Sequence, residues 1–155
     1  MSIELIKQGE FIAKINTIGS SLIGLTNRDF HLIEPDTASN LYPGSILAPW
    51  PNRIRDGKYS YQQKTFQLPI NESTRSNALH GLVAYRDWQI TKKDNDLIQL
   101  NCLLDSPEIY PGKLDLSVIY KFQNQCLYIE ISAINIGDSA APYGVSIHTY
   151  LVAGA

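Results

Sequence analysis

Residues 114–133 read LDLSVIYKFQNQCLYIEISA, and this stretch decides the fold class of the chain. Apolar residues occupy every second position over 114–122 and again over 127–133, and in the first run only Ile119 departs from the alternation. A period of two is the period of a β-strand with one buried face. The largely polar residues between the two runs suit a tight turn. We therefore predict an antiparallel hairpin over these residues.

Two further hairpins are predicted upstream of this one. Residues 88–92 pair with residues 97–104 through Asp94-Asn95-Asp96, where short polar side chains tolerate the backbone of a turn. Another hairpin turns at either Asp56-Gly57 or Gln62-Gln63, since both pairs separate residues of high strand propensity. Each hairpin adds antiparallel strands to the same all-β pattern.

The beginning of the chain predicts a meander of short strands. β-branched and aromatic residues recur there between turn residues, and no long 3.6-residue apolar repeat marks a helix. The predicted strands cover residues 4–7, 11–16, 21–25 and 31–34. The sequence therefore predicts an all-β fold, a large antiparallel β-sandwich or part of one, in a single folding unit over residues 1–155.

Composition limits the kind of partner. The chain of 155 residues has 44% hydrophobic residues, 18% charged residues and a formal net charge of −2. This balance lacks the basic surplus that nucleic acid or an anionic membrane attracts. The residues after Met1 show neither a signal peptide nor an apolar run of membrane-spanning length. We therefore expect a soluble cytoplasmic protein whose partner is a small neutral molecule.

Common cofactor and metal motifs are missing from the sequence. There is no His-Glu-x-x-His, no paired Cys-x-x-Cys, no Walker loop and no Gly-x-Gly-x-x-Gly. Cys102 and Cys126 lie far apart within apolar runs, and we expect both to be buried free thiols. The sequence therefore predicts chemistry without a cofactor or metal, or binding alone.

Two stretches, 42–57 and 71–87, do not read as strands. Long loops with specific polar groups on a β scaffold are common places for functional sites. In the second stretch, His80 stands at the end of a polar loop, and Gly81 after it permits close approach of backbone or ligand. Arg53 in the first loop carries five N–H donors that suit sugar hydroxyls, although backbone carbonyls could use them equally well.

A third candidate is His148, in the segment 142–150, PYGVSIHTY. Strand alternation would place it on one face with Gly144, Ser146 and Tyr150, a half-polar and aromatic face that suits a sugar. A core histidine hydrogen-bonded to a tyrosine fits the same composition. His31 lies among apolar residues of a predicted strand, and we assign it no function.

Three blocks of this sequence together resemble the aldose 1-epimerase (galactose mutarotase) family. Residues 42–59, YPGSILAPWPNRIRDGKY, are similar to its Pro-x-x-Asn-Arg-Ile…Gly-x-Tyr block, and residues 77–81, NALHG, resemble its Asn-x-Leu-His-Gly element. Residues 135–150 look like its Asn-x-Gly…His-Pro-Tyr-Phe block, but Thr149 replaces the proline and Leu151 an aromatic residue. The resemblance spans nearly the whole chain in the family's order and implies a galactose mutarotase-like supersandwich.

The resemblance also implies a reaction, the interconversion of the α and β anomers of a free hexose. A base takes the proton of the anomeric hydroxyl while an acid protonates the ring oxygen. By this similarity His148 is the acid, His80 orients the sugar, and Arg53 with Asn52 binds hydroxyls. An imidazole suits the acid role because its unperturbed pKa of about 6.5 leaves both forms populated near neutral pH.

The same resemblance implies that part of the family's site lies outside this chain. The later half of the family's domain supplies a sugar-binding aspartate and the glutamate base, and neither has a counterpart here. We therefore expect an incomplete site and unpaired sheet edges, with self-association or a companion chain. A non-catalytic carbohydrate-binding sandwich and a sugar-phosphate epimerase remain open alternatives. For the latter, Arg53, Arg55, Lys58, Arg75 and Arg86 could supply a phosphate site.

Overall fold

A computed structural model describes residues 1–34 and 42–153 of the chain. The predicted meander forms one four-stranded antiparallel sheet in the order β1-β2-β3-β4. Its strands are β1 (Ile3–Gln8), β2 (Phe11–Asn16), β3 (Ser21–Asn27) and β4 (Phe30–His31). β4 is shorter than the predicted strand over 31–34, and beyond it Ile33 forms an isolated bridge with Leu151.

The two hairpins predicted in the second half combine into another four-stranded antiparallel sheet, in the order β10-β11-β12-β13. Its strands are β10 (Gln89–Lys93), β11 (Leu97–Asp105), β12 (Lys113–Gln123) and β13 (Cys126–Asn135). The turn between β12 and β13 consists of Asn124 and Gln125, which have φ values of 51° and 61°. Positive φ at both central residues matches the twist of the flanking strands. The hairpin over 114–133 is therefore confirmed.

The core lies between these two sheets. Alternate residues of β11 and β12 face inward and are buried, as the period of two predicts. Inward residues of the first sheet meet them, and Phe11 of β2 packs against Phe122 with ring centroids 6.2 Å apart. The Tyr120 hydroxyl donates a hydrogen bond of 2.6 Å to the Ser20 carbonyl, which ties the layers together. The predicted antiparallel sandwich is thus observed.

One of the two cysteines departs from the prediction. Cys102 is buried in β11, whereas Cys126 is exposed, and both are free thiols. Cys126 begins β13 directly after the turn and pairs with Gln123. From there Leu127 and every second residue face the core, so Cys126 falls on the outward side. The expectation that Cys126 is buried was therefore wrong, because the turn shifts the inward face to the odd-numbered positions.

The stretches 42–57 and 71–87 also differ from the prediction, because they contain short strands. β5 (Ile46–Leu47) pairs with β14 (Ser146–Ile147), and β6 (Arg53–Arg55) pairs with β9 (Asn77–Leu79). These strands are two or three residues long, too short to show a period in the sequence. Their partners lie far away along the chain, so only the tertiary fold reveals them. The two pairings bring the three family-like blocks together.

A separate hairpin of β7 (Lys58–Tyr61) and β8 (Lys64–Gln67) follows β6. It turns at Gln62-Gln63, one of the two predicted positions, and Asp56-Gly57 instead forms the bend from β6 into β7. The helical content of residues 1–34 and 42–153 is one short 3-10 turn, η1 (Ser73–Arg75). Accordingly, no helix in these ranges is long and apolar enough to cross a membrane.

Candidate active site

A cavity of about 840 Å³ opens beside the β6–β9 and β5–β14 strand pairs. Its volume lies in the usual range of small-molecule sites. All four residues predicted from the sequence, Asn52, Arg53, His80 and His148, line it. The other lining residues are Tyr42, Leu47, Pro51, Asn71, Glu72, Leu79, Tyr85, Ser146, Ile147, Thr149 and Tyr150. The fold therefore joins residues that lie nearly a hundred positions apart.

His80 is fixed by reciprocal hydrogen bonds with Asn52. The backbone N–H of Asn52 donates to Nδ1 of His80 at 3.1 Å, and the backbone N–H of His80 donates to the Asn52 carbonyl at 3.0 Å. A ring nitrogen that accepts a hydrogen bond carries no proton, so the neutral imidazole of His80 holds its proton on Nε2. The ring can thus donate from Nε2 to a ligand.

The two imidazoles lie side by side in the cavity. The ring centroids of His80 and His148 are 5.0 Å apart, with their planes at 88°. Tyr42 contacts both rings, at 4.8 Å from His80 and 6.4 Å from His148, and Tyr85 packs on Tyr42 at 4.9 Å. Burial, followed by the hydrogen bond with Tyr85, raises the pKa of Tyr42. The two imidazoles are therefore close enough for one small ligand to contact both, beside the aromatic rings of Tyr42 and Tyr85.

The segment that carries His148 follows the predicted alternation only in part. The His148 backbone donates to the Ser45 carbonyl at 3.0 Å and its carbonyl accepts from Gly44 at 2.8 Å, beyond the two residues of β14. Ser146 and Tyr150 share its cavity as predicted, but so do Ile147 and Thr149. Gly144 lies elsewhere, against Pro49 and Pro51. The prediction for Gly144 was wrong because no continuous strand connects it to His148.

Arg53 has a partner in the cavity that the sequence analysis missed. The Arg53 Nε and Nη2 atoms each donate to one carboxylate oxygen of Glu72, both at 2.7 Å. Asn77 Nδ2 donates to Glu72 Oε2 at 2.8 Å. Arg53, then Asn77, lowers the pKa of Glu72 to about 2, and Glu72 raises the pKa of Arg53. The available signal was a carboxylate in the same predicted loop as His80.

Side chains that commonly bind metal ions are not clustered in the residues that the structure describes. There, no group of three or more His, Cys, Asp or Glu side chains could hold an ion. The cavity instead offers imidazole, guanidinium, amide and hydroxyl groups. Such groups suit the recognition of hydroxyls and the transfer of protons.

A sequence model of the aldose 1-epimerase family matches residues 1–155. The chain belongs to the aldose 1-epimerase family. Its sequence is 42% identical over 147 residues to the uncharacterized protein YihR of Escherichia coli, a match that covers 92% of this chain and 48% of YihR. A probable aldose 1-epimerase of Arthroderma benhamiae is 35% identical over 81 residues, which are 50% of this chain and 18% of that protein. This aldose 1-epimerase family member thus spans about half the length of YihR.

Solved structures of the family show the same fold. A putative aldose 1-epimerase from Escherichia coli superposes with a TM-score of 0.82 at 21% identity, over 93% of this chain and 50% of that one. An aldose epimerase homologue from Caenorhabditis elegans gives 0.80 at 19% identity, over 97% of this chain and 51% of that one. These matches confirm a galactose mutarotase-like β-sandwich, of which this chain corresponds to the amino-terminal part.

Gly81 is expected to be essential for the geometry of the family's His-Gly element. Its φ is +78°, and a Cβ there would lie 2.1 Å from the Ala48 carbonyl oxygen. Gly81→Ala should cost about 2–5 kcal/mol of unfolding free energy, combining left-handed strain with overpacking. Gly9 is the matched control, because its φ is +59° and a Cβ would meet nothing within 4 Å. Urea denaturation should give only about 1–2 kcal/mol for Gly9→Ala, and equal losses would contradict the crowding argument.

His80 should make stability depend on pH. Burial, then the charges of His148 and Arg53, lowers the pKa of His80 below its ordinary value of 6.5. As pH falls through 6.5, the unfolded chain takes up this proton more readily than the folded chain, so stability decreases. His80→Gln should flatten the dependence of Tm on pH between 7 and 5. His31→Gln, at an exposed position outside the cavity, should keep the parent slope, and an unchanged slope in His80→Gln would contradict the assignment.

Proposed function

We propose that this chain forms the sugar-binding and acid-donating part of an aldose 1-epimerase site that interconverts the α and β anomers of a free hexose. One observation carries the proposal. The ring centroids of His80 and His148 are 5.0 Å apart, and both side chains line the same cavity as Asn52 and Arg53. Membership of the family supports a sugar epimerase or mutarotase type of function.

The reaction assigns a separate task to each group. A base removes the proton from the anomeric hydroxyl, while His148 donates a proton to the ring oxygen as the bond between C1 and that oxygen breaks. C1 then turns about the C1–C2 bond, and the reverse transfers close the ring on the other face. His80 donates from Nε2 to a sugar oxygen and stabilises charge there, since Asn52 holds its Nδ1 as an acceptor. Asn52 and Arg53 bind hydroxyls throughout.

The base is proposed to come from outside the described residues. Glu72 is the carboxylate that lines the cavity in the part of the chain that the structure describes. Both of its oxygens accept from Arg53, and its pKa of about 2 makes it a poor proton acceptor near neutral pH. We assign the base to the part of the family domain that this chain does not span.

The strand β13 lies at the edge of its sheet, and its inward residues Leu127, Ile129 and Ile131 are only partly buried. This exposed edge supports pairing with a companion chain or self-association.

Of the two alternative functions, the sugar-binding module has more support from the cavity than the sugar-phosphate epimerase. The engagement of Glu72 favours a non-catalytic sugar-binding module as the second candidate, since such a module needs no base. A phosphate site would draw on five basic residues, yet of these only Arg53 lines the cavity. Arg86 donates instead to the carbonyls of Leu82 and Leu103. The geometry therefore supports a sugar-binding site without a cluster of cations.

Sugar binding by the chain itself tests the proposal. Titration of the ¹⁵N-labelled chain with D-galactose and D-glucose should shift backbone signals around His80 and His148. Arg53→Ala should weaken this binding by about 10- to 100-fold, the effect of losing charge-assisted hydrogen bonds. Arg28→Ala removes an exposed arginine that pairs with Glu10 outside the cavity, and it should bind as the parent does. If neither sugar binds to the parent chain, the proposed function fails.

A further inference from the structure

Glu72 connects the sugar-facing arginine to the backbone of the neighbouring strand. The carboxylate binds the guanidinium of Arg53 on β6 and the amide of Asn77 at the start of β9. Its own backbone forms a bridge with Asn77, with N–H to carbonyl distances of 3.1 and 3.2 Å in the two directions. The side chain is only 15% exposed. Glu72 is thus held at its main chain and at its carboxylate at the same time.

This arrangement leaves part of the Arg53 guanidinium free for a ligand. Of the five N–H groups of an arginine, two donate to Glu72 and a third approaches Asn52 Oδ1 at 3.4 Å. One N–H on Nη1 and one on Nη2 are not engaged by these bonds. The side chain is 41% exposed, so without its partner it would sample many rotamers. The two bonds to Glu72 fix the plane in which the remaining donors point.

We infer that Glu72 is a positioning residue of the sugar site, which orients the guanidinium of Arg53 toward substrate hydroxyls and raises sugar affinity without taking part in proton transfer. The inference rests on the proposed function for the nature of the ligand. Its physical basis is preorganisation, because an arginine that is already ordered loses less rotamer freedom when the sugar binds. Loss of this preorganisation corresponds to a change of about 2- to 10-fold in dissociation constant.

A double-mutant cycle tests whether Glu72 acts through Arg53. Glu72→Gln keeps the length of the side chain but removes its charge, and it should weaken D-galactose binding by about 2- to 10-fold in NMR titrations. In the Arg53→Ala background the same substitution should have no further effect, because there is no guanidinium left to orient. The Arg53 Nε–H signal of the sugar-free protein gives a second measurement, and in Glu72→Gln it should shift and exchange faster with water.

Two further variants make the result specific. The exposed Arg75, which does not line the cavity, lies with Nη1 at 3.7 Å from Glu72 Oε1, and Arg75→Ala should leave both affinity and the Arg53 signal unchanged. If Glu72→Gln does not fold, Glu72→Asp replaces it, since the shorter side chain keeps the charge and cannot reach both donors in the same way. Thermal unfolding shows which variants are folded.

The outcomes separate this inference from the proposed function. Weaker binding in Glu72→Gln that disappears in the Arg53→Ala background supports the positioning role. The same weakening in both backgrounds, or no weakening while the parent chain binds sugar, overturns it and leaves the proposed function intact. A parent chain that binds no sugar overturns the proposed function and, with it, the role in sugar binding, and the Arg53 signal then reports on the ion pair alone.

Discussion

His148→Ala is expected to lower the turnover of mutarotation by about 10²- to 10⁴-fold in a protein with a complete site, the usual contribution of a positioned acid. A suitable protein is a chimera of residues 1–155 with the part of YihR that lies outside its match to this chain, a match that covers 48% of YihR. Polarimetry of freshly dissolved α-D-glucose measures the turnover. Sugar affinity should change much less, because donation to the ring oxygen is strongest in the transition state, whereas hydroxyl contacts are made throughout.

Two comparisons make this expectation discriminating. His31→Ala in the same chimera changes an exposed histidine outside the cavity and should leave turnover unchanged. Arg53→Ala should show the reverse balance from His148→Ala, with a larger loss of apparent affinity than of turnover. Equal losses of turnover and affinity in both His148→Ala and Arg53→Ala would refute the separate roles.

The isolated chain is expected to be catalytically silent, or nearly so, and slower than the chimera by about 10²-fold or more. Glu72 lies in the cavity, but Arg53 and Asn77 hold its pKa at about 2, so it has little tendency to take a proton from an anomeric hydroxyl. Glu130 faces outward on β13 and cannot reach the cavity. If the base lies outside this chain, as proposed, only positioning and the acid contribute.

Polarimetry of the purified chain beside buffer decides this point. The informative control is Glu72→Gln in the isolated chain, which should be as silent as the parent chain if Glu72 is not a base. Mutarotation well above buffer that is lost in His148→Ala would show that a base exists within this chain. Activity at saturating sugar that is also lost in Glu72→Gln, but retained in Arg53→Ala and Arg75→Ala, would identify Glu72 as that base, because loss of the oriented guanidinium alone lowers affinity more than turnover.

The strands of the two large sheets could be predicted because their signal is local. In β12, alternate residues from Leu114 to Phe122 face the core and are buried. Apolar residues therefore recur at every second position of the sequence. The turn after β12 needs only two residues that tolerate positive φ, Asn124 and Gln125. The short strands β5, β6, β9 and β14 were missed because two or three residues show no period, and their pairing depends on distant partners.

The cavity likewise contains residues that could be predicted from the sequence and a contact that could not. Its two histidines, Asn52 and Arg53 could be named from sequence blocks, since each block has a distinctive order of residue types. The salt bridge between Arg53 and Glu72 could not, because it depends on the pairing of β6 with β9, which sets Arg53 opposite Leu79 and Arg55 opposite Asn77. Side chains nineteen positions apart meet only after these strands have paired.

The sequence by itself determined the class of fold, the family and the types of groups available for chemistry, because alternation and motifs are written in neighbouring residues. Only the tertiary structure decided which groups are neighbours, which hydrogen bonds their side chains form and how their pKa values shift. It set the 5.0 Å separation of the two imidazoles and directed the Nδ1 of His80 to the backbone of Asn52. It also paired Glu72 with Arg53 and lowered the pKa of that carboxyl group, because the pKa and orientation of a side chain depend on distances across the fold.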